Sequence, residues 1–340
     1  MTNPFHPYLN IAVSGRPLTE EEMARAIDLL LEGEVSDVCA AAFLAALRAR
    51  GETIEEITAA AQAMRARATP VETTQQVVDT CGTGGDGGGT YNISTAAALV
   101  AAGAGVFIAK HGNKAASSKS GSSDVLAALG VNLKATPRQI SKCINNAGLG
   151  FMFAAAHHKA VANVANVRSA MGVRTLFNFL GPLTNPAGSQ HQLMGVYEKE
   201  KVEPLAHVLK KLGAKSAWVV HGEDGLDEIT TTGKTYVAAL KDHSVQTFTI
   251  APEDVGLPRA DASELKGGDP VENAAAIKDI LAGKKNAFRN IVVFNAAAAI
   301  HIADPKKPLS ACVKAAQLSI DQGNAKMALE KLIQYSNSEA

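Results

Sequence analysis

The apolar positions of this chain change character near residue 70. Before it they follow a helical period. Thr19 and Glu22 are spaced as a capping box that opens a helix with Met23, Ile27 and Leu30 on one face. Ser36 opens a second helix, with Phe43, Leu44 and Leu47 inward and Gly51 past its end. Thr53 and Glu56 form another box, followed by Ile57, Ala60 and Met64, and Thr69-Pro70 stops that helix. From 71 onward short apolar runs take over. Those at 77–78, 106–109, 151–153 and 217–220 read as buried strands, and 236–240, 245–250 and 291–294 are further strand candidates. Helical stretches lie between and after them. Residues 96–102 are rich in helix formers, 124–129 are closed by Gly130, and Thr136-Pro-Arg-Gln139 starts a helix with Pro137 at its first position. Residues 311–323 and 325–335 are also helical. Such alternation predicts an α/β sheet with helices on its faces, preceded by an all-helical region.

Composition narrows the classes. With 340 residues, 46% of them hydrophobic, the chain can bury a large core, and the length suggests one big domain and a smaller one. Lys plus Arg equals Asp plus Glu, 33 each, which argues against a nucleic-acid or membrane-surface protein. The cysteines, Cys39, Cys81, Cys143 and Cys312, show neither metal-ligand spacing nor a disulfide framework, as expected of reduced thiols in a cytoplasmic protein. The start lacks the basic and apolar regions of a signal peptide, and the apolar stretch at 96–109 is too short and glycine-broken to span a membrane.

Candidate chemistry gathers in two loops. Asp79-Thr-Cys-Gly-Thr-Gly-Gly-Asp86 continues to Gly89, and six of the eight residues from 82 to 89 are glycine. A strand precedes this loop and a helix follows it, an order that collects bare N–H groups and a helix N-terminus into an anion site. Ser94 or Thr95 can cap that helix or turn a hydroxyl to a phosphate or metal. The loop is not a P-loop, because no Lys-Ser or Lys-Thr pair closes it, and Asp86 interrupts the fit to a dinucleotide fingerprint. Cys81 reads as a small buried residue rather than a nucleophile. The second loop, 110–121, holds three lysines and three serines and follows the next strand, so both loops would face one pocket at the carboxyl ends of adjacent strands.

Three later features matter. His157-His158 resembles a metal pair, but adjacent strand residues face opposite ways and no third ligand is near, so the reading is structural. Asn163, Asn166, Arg168 and Arg174 read as one helix. The two arginines are six apart and cannot share a face, so one can reach the pocket while the other fixes the loop. Pro182 and Pro186 bracket a turn back to the sheet. Residues 221–228 carry four carboxylates without EF-hand spacing, and the adjacent pair Asp227-Glu228 can aim inward from a loop. A solvated acidic turn is the alternative.

Together, Asp79 to Asp86, Asn92-Ile-Ser-Thr95, Lys110-His-Gly-Asn113 and Gly172-Val-Arg-Thr-Leu-Phe-Asn-Phe-Leu-Gly-Pro-Leu-Thr-Asn-Pro186 resemble the anthranilate phosphoribosyltransferases, a family related in fold to the pyrimidine nucleoside phosphorylases. The resemblance runs from about residue 5 to about residue 330. It implies a small all-helical domain, 1–70 plus about 163–188, that makes a homodimer contact. It also implies a larger α/β domain, 71–162 and 189–340, with a mixed central sheet flanked by helices. The implied reaction joins anthranilate to phosphoribosyl pyrophosphate, releasing phosphoribosyl anthranilate and pyrophosphate on the way to tryptophan. The implied phosphoribosyl pyrophosphate site comprises Gly82, Gly85, Asp86, Thr90, Asn92, Ile93, Ser94 and Thr95, then Lys110, His111, Gly112, Asn113, Lys114, Ala115, Ala116, Ser117, Ser118 and Ser122. Gly82, Asn113 and Arg168 are implied for anthranilate, with the Arg168 fork on its carboxylate. Asp227, Glu228 and Ser94 are implied as ligands of two Mg2+ ions per active site. His111 is a candidate proton acceptor. Lys114 departs from the pattern where arginine is common, and Ala156, Lys159 and Asn166 stand where prolines are usual. Two other readings stay open: a nucleoside phosphorylase of the same fold, or a non-catalytic phosphoribosyl-binding regulator.

Overall fold

The computed structural model describes residues 3–115 and 119–339. Seven strands form one mixed sheet: β1 (Val77–Gly82), β2 (Phe107–Gly112), β3 (Leu149–Phe153), β4 (His191–Gly195), β5 (Ser216–Gly222), β6 (Thr235–Lys241) and β7 (Ser244–Ile250), in the order β3-β2-β1-β4-β5-β6-β7. The first five in that order are parallel, and β6 and β7 run antiparallel at the edge. The chain leaves β1 toward β2 and β3 on one side and returns to β4 and β5 on the other. The strand order therefore switches between β1 and β4, and a crevice opens there at the carboxyl ends of the strands.

Alternation along the strands sends neighbouring side chains into different cores. Leu193, Trp218, Val220 and Val237 join a cluster with helices Ile93–Gly103 and Ala287–Ala303. Met194, Ala217, Val219, Ala238 and Leu240 face the other way. They pack with Met23, Ile27, Leu30, Phe43, Leu44 and Leu47 of the amino-terminal helices and with Leu205 and Leu209. Val164, Val167 and Phe177 belong to that second cluster. The amino-terminal helices start where their caps predict, although helix Ile54–Ala66 ends at Arg67, before Thr69-Pro70. Thr19 and Thr53 each close a capping box, Ser36 accepts from Cys39 N–H, and Gly33 ends its helix with φ 77°. No described helix is long and apolar enough to cross a membrane.

Several local expectations fail. Residues 291–294 are not a strand but lie inside helix Ala287–Ala303, which is buried nearly all round. A helix covered on every side loses its 3.6-residue periodicity, and a short apolar window then looks like a strand. His157 ends the short helix Ala154–His157 and His158 follows it, so the pair is not on a strand. Helix Ala165–Met171 stops at Gly172 in the left-handed region, which leaves Arg174 beyond it, and Asn163 lies in the 3-10 turn Lys159–Val164. Pro182 sits in the last turn of helix Phe177–Leu183 rather than at the edge of a loop. The cap of helix Ile93–Gly103 is Asn92, not Ser94 or Thr95, and it makes no side-chain cap bond. Helices His6–Val13 and Pro270–Leu281 are additional to the sequence expectations, although Asp269, Pro270 and Glu272 form a helix-start signature.

Candidate active site

The glycine loop leaves β1 at Gly82 and enters helix Ile93–Gly103. Gly84, Gly85, Gly87 and Gly89 hold φ between 58° and 75°, a region that side-chain-bearing residues rarely adopt. Gly82 and Gly195 pair across β1 and β4, and Asp227 lies directly above both. A Cβ at either glycine would collide with Asp227, so the absence of two side chains on neighbouring strands creates its seat. Gly195 belongs to the site for this reason. Its role is set by a pairing between residues more than a hundred apart, which no local motif announces.

A cleft of about 310 Å³ opens at this point. One wall is the glycine loop, with Gly82, Gly85, Asp86 and Thr90, followed by Asn92, Ile93, Ser94 and Thr95. The next is the end of β2 and its loop, with Lys110, His111, Gly112, Asn113, Lys114 and Ala115, joined by Ser122. Arg168, Phe177 and Asn178 face them from the helical side, and Asp227 and Glu228 line the same space. Every described residue expected at either substrate or at metal therefore lies on one cleft. Ala116, Ser117 and Ser118 fall outside the described residues. The sequence reading did not include Asn178 and Thr83, which also line the cleft.

The charged groups are held by backbone. Asp227 Oδ2 accepts from Gly84 N–H at 2.7 Å, and Glu228 Oε1 accepts from Ser94 N–H at 3.0 Å, so each carboxylate pins one end of the glycine segment. Burial pushes the Asp227 carboxyl up to about 7, and the nearby Asp86 charge adds to this. Burial and then the Asp227 charge push Glu228 well above the usual carboxylate range. Lys110 is almost wholly buried. Its ammonium bonds the Thr80 carbonyl and donates to Ser94 Oγ at 3.2 Å, and burial lowers its pKa. Asp79 accepts from His111 N–H at 3.1 Å, and burial raises its carboxyl to about 6. The Asn92 side chain is engaged by Ser120 and by Asn273, at 2.9 Å, which braces the loop.

Three chemical questions are decided by surroundings. Cys81 is buried, accepts from Gln192 Nε2 at 3.1 Å, and has its thiol pKa driven up by burial, which removes it as a nucleophile. His111 Nδ1 lies 3.0 Å from the Gly181 carbonyl and so carries the proton, while burial holds the ring near a pKa of 3. Its buried Nε2 has no protein partner among the described residues, and can only accept a hydrogen bond. His157 is tied to the Thr69 carbonyl at 2.8 Å, and His158 packs edge-on against His111 with ring centres 5.1 Å apart, so neither forms a metal pair. Among the described residues no group of three His, Cys, Asp or Glu side chains is placed to hold a metal by itself.

The two arginines divide their work. Arg168 lies 5.3 Å from the Phe177 ring centre and lines the cleft, half-buried, and desolvation alone lowers its pKa. Arg174 lies over the Tyr197 ring at 3.7 Å and donates to the Gly85 carbonyl, lining with Arg168 and Asn178 an adjoining space beside the glycine loop.

Comparison with known proteins shows the family. Residues 74–326 match the pattern described as the α/β domain of a glycosyl transferase family, and residues 6–68 match that family's helical bundle domain. An anthranilate phosphoribosyltransferase of Rhizobium rhizogenes is 52% identical over 333 residues, covering 98% of each chain. That of Rhodospirillum rubrum is 52% identical over 331 residues, covering 97% of this chain and 95% of its own. The crystal structure of the Thermus thermophilus enzyme superposes with a TM-score of 0.92 at 43% identity, over 97% of this chain and 99% of that one. The Saccharomyces cerevisiae enzyme in complex with PRPP and Mg superposes with a TM-score of 0.92 at 29% identity, over 100% and 99%. With glycine loop, buried lysine, acidic pair and facing arginine assembled on one crevice, and with likeness over nearly its whole length, this chain belongs to the anthranilate phosphoribosyltransferase family.

Proposed function

We propose that this protein transfers the 5-phosphoribosyl group of phosphoribosyl pyrophosphate to the amine of anthranilate. The products are N-(5-phosphoribosyl)anthranilate and pyrophosphate, in the second step from chorismate to tryptophan. The observation that carries the reading is the facing of two unlike walls across one cleft. Backbone amides, Lys110 and paired carboxylates stand on one side, and Arg168, with no carboxylate partner among the described residues, stands on the other. A polyanionic leaving group fits the first wall, and an aromatic carboxylate fits the second.

An aryl amine is neutral at pH 7, so the attacking nitrogen needs orientation more than deprotonation. His111 is a poor base, because burial holds its ring near a pKa of 3, and its buried Nε2 would reach the amine only if the ring shifted toward the cleft. Asn113 and Gly82 lie beside it on the cleft and complete the anthranilate side with Arg168. As the bond to pyrophosphate breaks, charge builds on the leaving group. The glycine loop and Lys110 line the cleft and would face that charge. Thr90, Ser122 and residues 113–115 complete the phosphate side.

Mg2+ fits the acidic end. Asp227, Glu228 and the Ser94 hydroxyl are hard oxygen donors, and the two carboxyls, raised first by burial and then by neighbouring acids, are adjacent at one end of the cleft. Asp227 and Glu228 would hold one ion, and Ser94, whose hydroxyl is bonded to Lys110, would face a second. When bound, the ions would neutralise charge on the departing pyrophosphate. Exposed Val13 and Val38, on helices His6–Val13 and Asp37–Arg50, support a homodimer contact through the helical part. The core shared by Val164, Val167 and Phe177 with the first helices supports assigning 163–188 to that part along with 1–70. Free cysteines throughout suit a cytoplasmic enzyme.

The test is loss of anthranilate fluorescence on addition of phosphoribosyl pyrophosphate and Mg2+. Depletion that requires all three supports the assignment. Phosphorolysis of a nucleoside with no anthranilate consumption would instead favour the nucleoside phosphorylase reading, and binding without any turnover would favour the regulator.

A further inference from the structure

We infer that Arg174 is a positioning residue that latches the glycine loop in its binding shape. The inference takes the ligand of that loop, phosphoribosyl pyrophosphate, from the function proposed above, but its geometry stands apart from it. A loop with six glycines in eight residues has large backbone freedom to lose, and a loop that must be ordered by its ligand binds it more weakly than one ordered beforehand. The structure shows what orders it. On one side Asp227 takes the Gly84 N–H at 2.7 Å. On the other the Arg174 guanidinium donates to the carbonyl of the next residue, Gly85, whose φ is 75°. Adjacent residues are thus gripped from opposite flanks, one through its amide and one through its carbonyl.

Arg174 is itself held by a stack. Its guanidinium lies 3.7 Å from the Tyr197 ring centre. Tyr197 stacks on Phe179, centroids 5.6 Å apart and planes 11° from parallel, and Phe179 is fully buried. The Tyr197 N–H also donates to Thr83 Oγ1 at 3.2 Å, and Thr83 N–H donates to the Gly195 carbonyl at 3.0 Å. The stack and the start of the glycine loop are therefore one assembly. Arg174 comes from the connector between helices Ala165–Met171 and Phe177–Leu183, so the latch joins the helical side of the cleft to the phosphate side. Arg168, on the same stretch, lines the cleft over the Phe177 ring, and among the described residues it has no hydrogen bond to the glycine loop.

The test compares the full-length wild type with Arg174→Ala, Arg174→Lys and Tyr197→Leu. Two readouts are taken: the KM for each substrate, and amide hydrogen exchange over residues 83–90 of the ligand-free protein. Arg174→Ala should raise the KM for phosphoribosyl pyrophosphate about tenfold and leave that for anthranilate within about twofold, with faster exchange in the loop. Tyr197→Leu should shift both readouts in the same direction, because it removes the platform. Arg174→Lys keeps the charge without the planar, stacking fork and should recover only part of the loss. A rise in the anthranilate KM with loop exchange unchanged would overturn the inference and make Arg174 a substrate ligand. So would unchanged exchange and unchanged KM in Arg174→Ala. If the wild type consumes no anthranilate, the proposed function fails, and loop exchange in Arg174→Ala still decides whether the latch exists.

Discussion

The two walls of the cleft are built on different principles. On the sheet wall, Lys110, Asp79, Asp227 and Glu228 are sunk at the ends of parallel strands and fastened to backbone, and each shows a pKa displaced mainly by burial. On the helical wall, Arg168 and Arg174 stand on a helix of seven residues and the connector after it, half-buried and held by aromatic faces rather than by carboxylates. The difference teaches where each kind of work can be placed. Stabilising developing charge needs groups that do not reorganise, which the sheet supplies. Admitting and recognising a second, aromatic substrate needs a surface that can give way, which short helical segments supply.

The contrast is broken most severely at the acidic end. Asp227→Asn combined with Glu228→Gln keeps the shape but removes both anions, and turnover should fall on the order of 10²–10³-fold. Steady-state rates across a Mg2+ titration check this. Rates near wild type, or rates indifferent to excess chelator, would refute the charge-handling role of this wall.

The helical wall should fail differently. If Arg168 pairs with the anthranilate carboxylate as proposed, Arg168→Ala should cost about 1.5–3 kcal/mol, or about ten- to a hundredfold in affinity. Calorimetric titration should place that loss on anthranilate and leave phosphoribosyl pyrophosphate nearly untouched. A loss confined to phosphoribosyl pyrophosphate would reverse the assignment of the two walls.

Acidity sharpens the comparison further, because only the sheet wall holds carboxyls raised into the working range. The Asp227 carboxyl lies at about 7 in the fold against 3.8 ordinarily, so its protonated form is the favoured one. Its contribution to stability is complete below 3.8 and is lost as pH rises through about 7. Metal binding needs the ionised form. Affinity for Mg2+ measured by calorimetry should therefore fall up to about tenfold per unit below pH 7, and the Mg2+-induced rise in Tm should grow between pH 6 and 8. A flat profile would mean that Asp227 does not face the ion.

The smallest effect separates scaffold from chemistry. Thr53→Ala deletes the hydroxyl that accepts Glu56 N–H at 3.2 Å, far from the cleft. It should cost about 1 kcal/mol in urea unfolding and leave kcat unaltered.

Legibility in the sequence followed the same division. The glycine loop and the Lys-His-Gly-Asn loop each place their functional groups within a few consecutive residues, so strand, loop and helix N-terminus could be read in order. The capping boxes at Thr19, Thr53 and Thr136 were equally readable, because a cap is a matter of residues three apart. The acidic pair was visible as a cluster, and the resemblance implied a metal role for it, but nothing in 221–228 says that it will accept from the Gly84 and Ser94 amides.

Local chemistry thus determined the caps, the phosphate-side loops, the α/β alternation and the candidate charges, because each depends on neighbours along the chain. Tertiary structure alone decided that Gly195 must be bare beneath Asp227, that His111 is a neutral acceptor, and that Arg168 enters the cleft while Arg174 grips Gly85. It also decided that residues 291–294 lie in a helix, because burial on every side had erased the pattern that would have revealed one. In each of these cases the governing quantity is burial or contact between residues far apart in sequence, and it takes a value only once the sheet has brought them together.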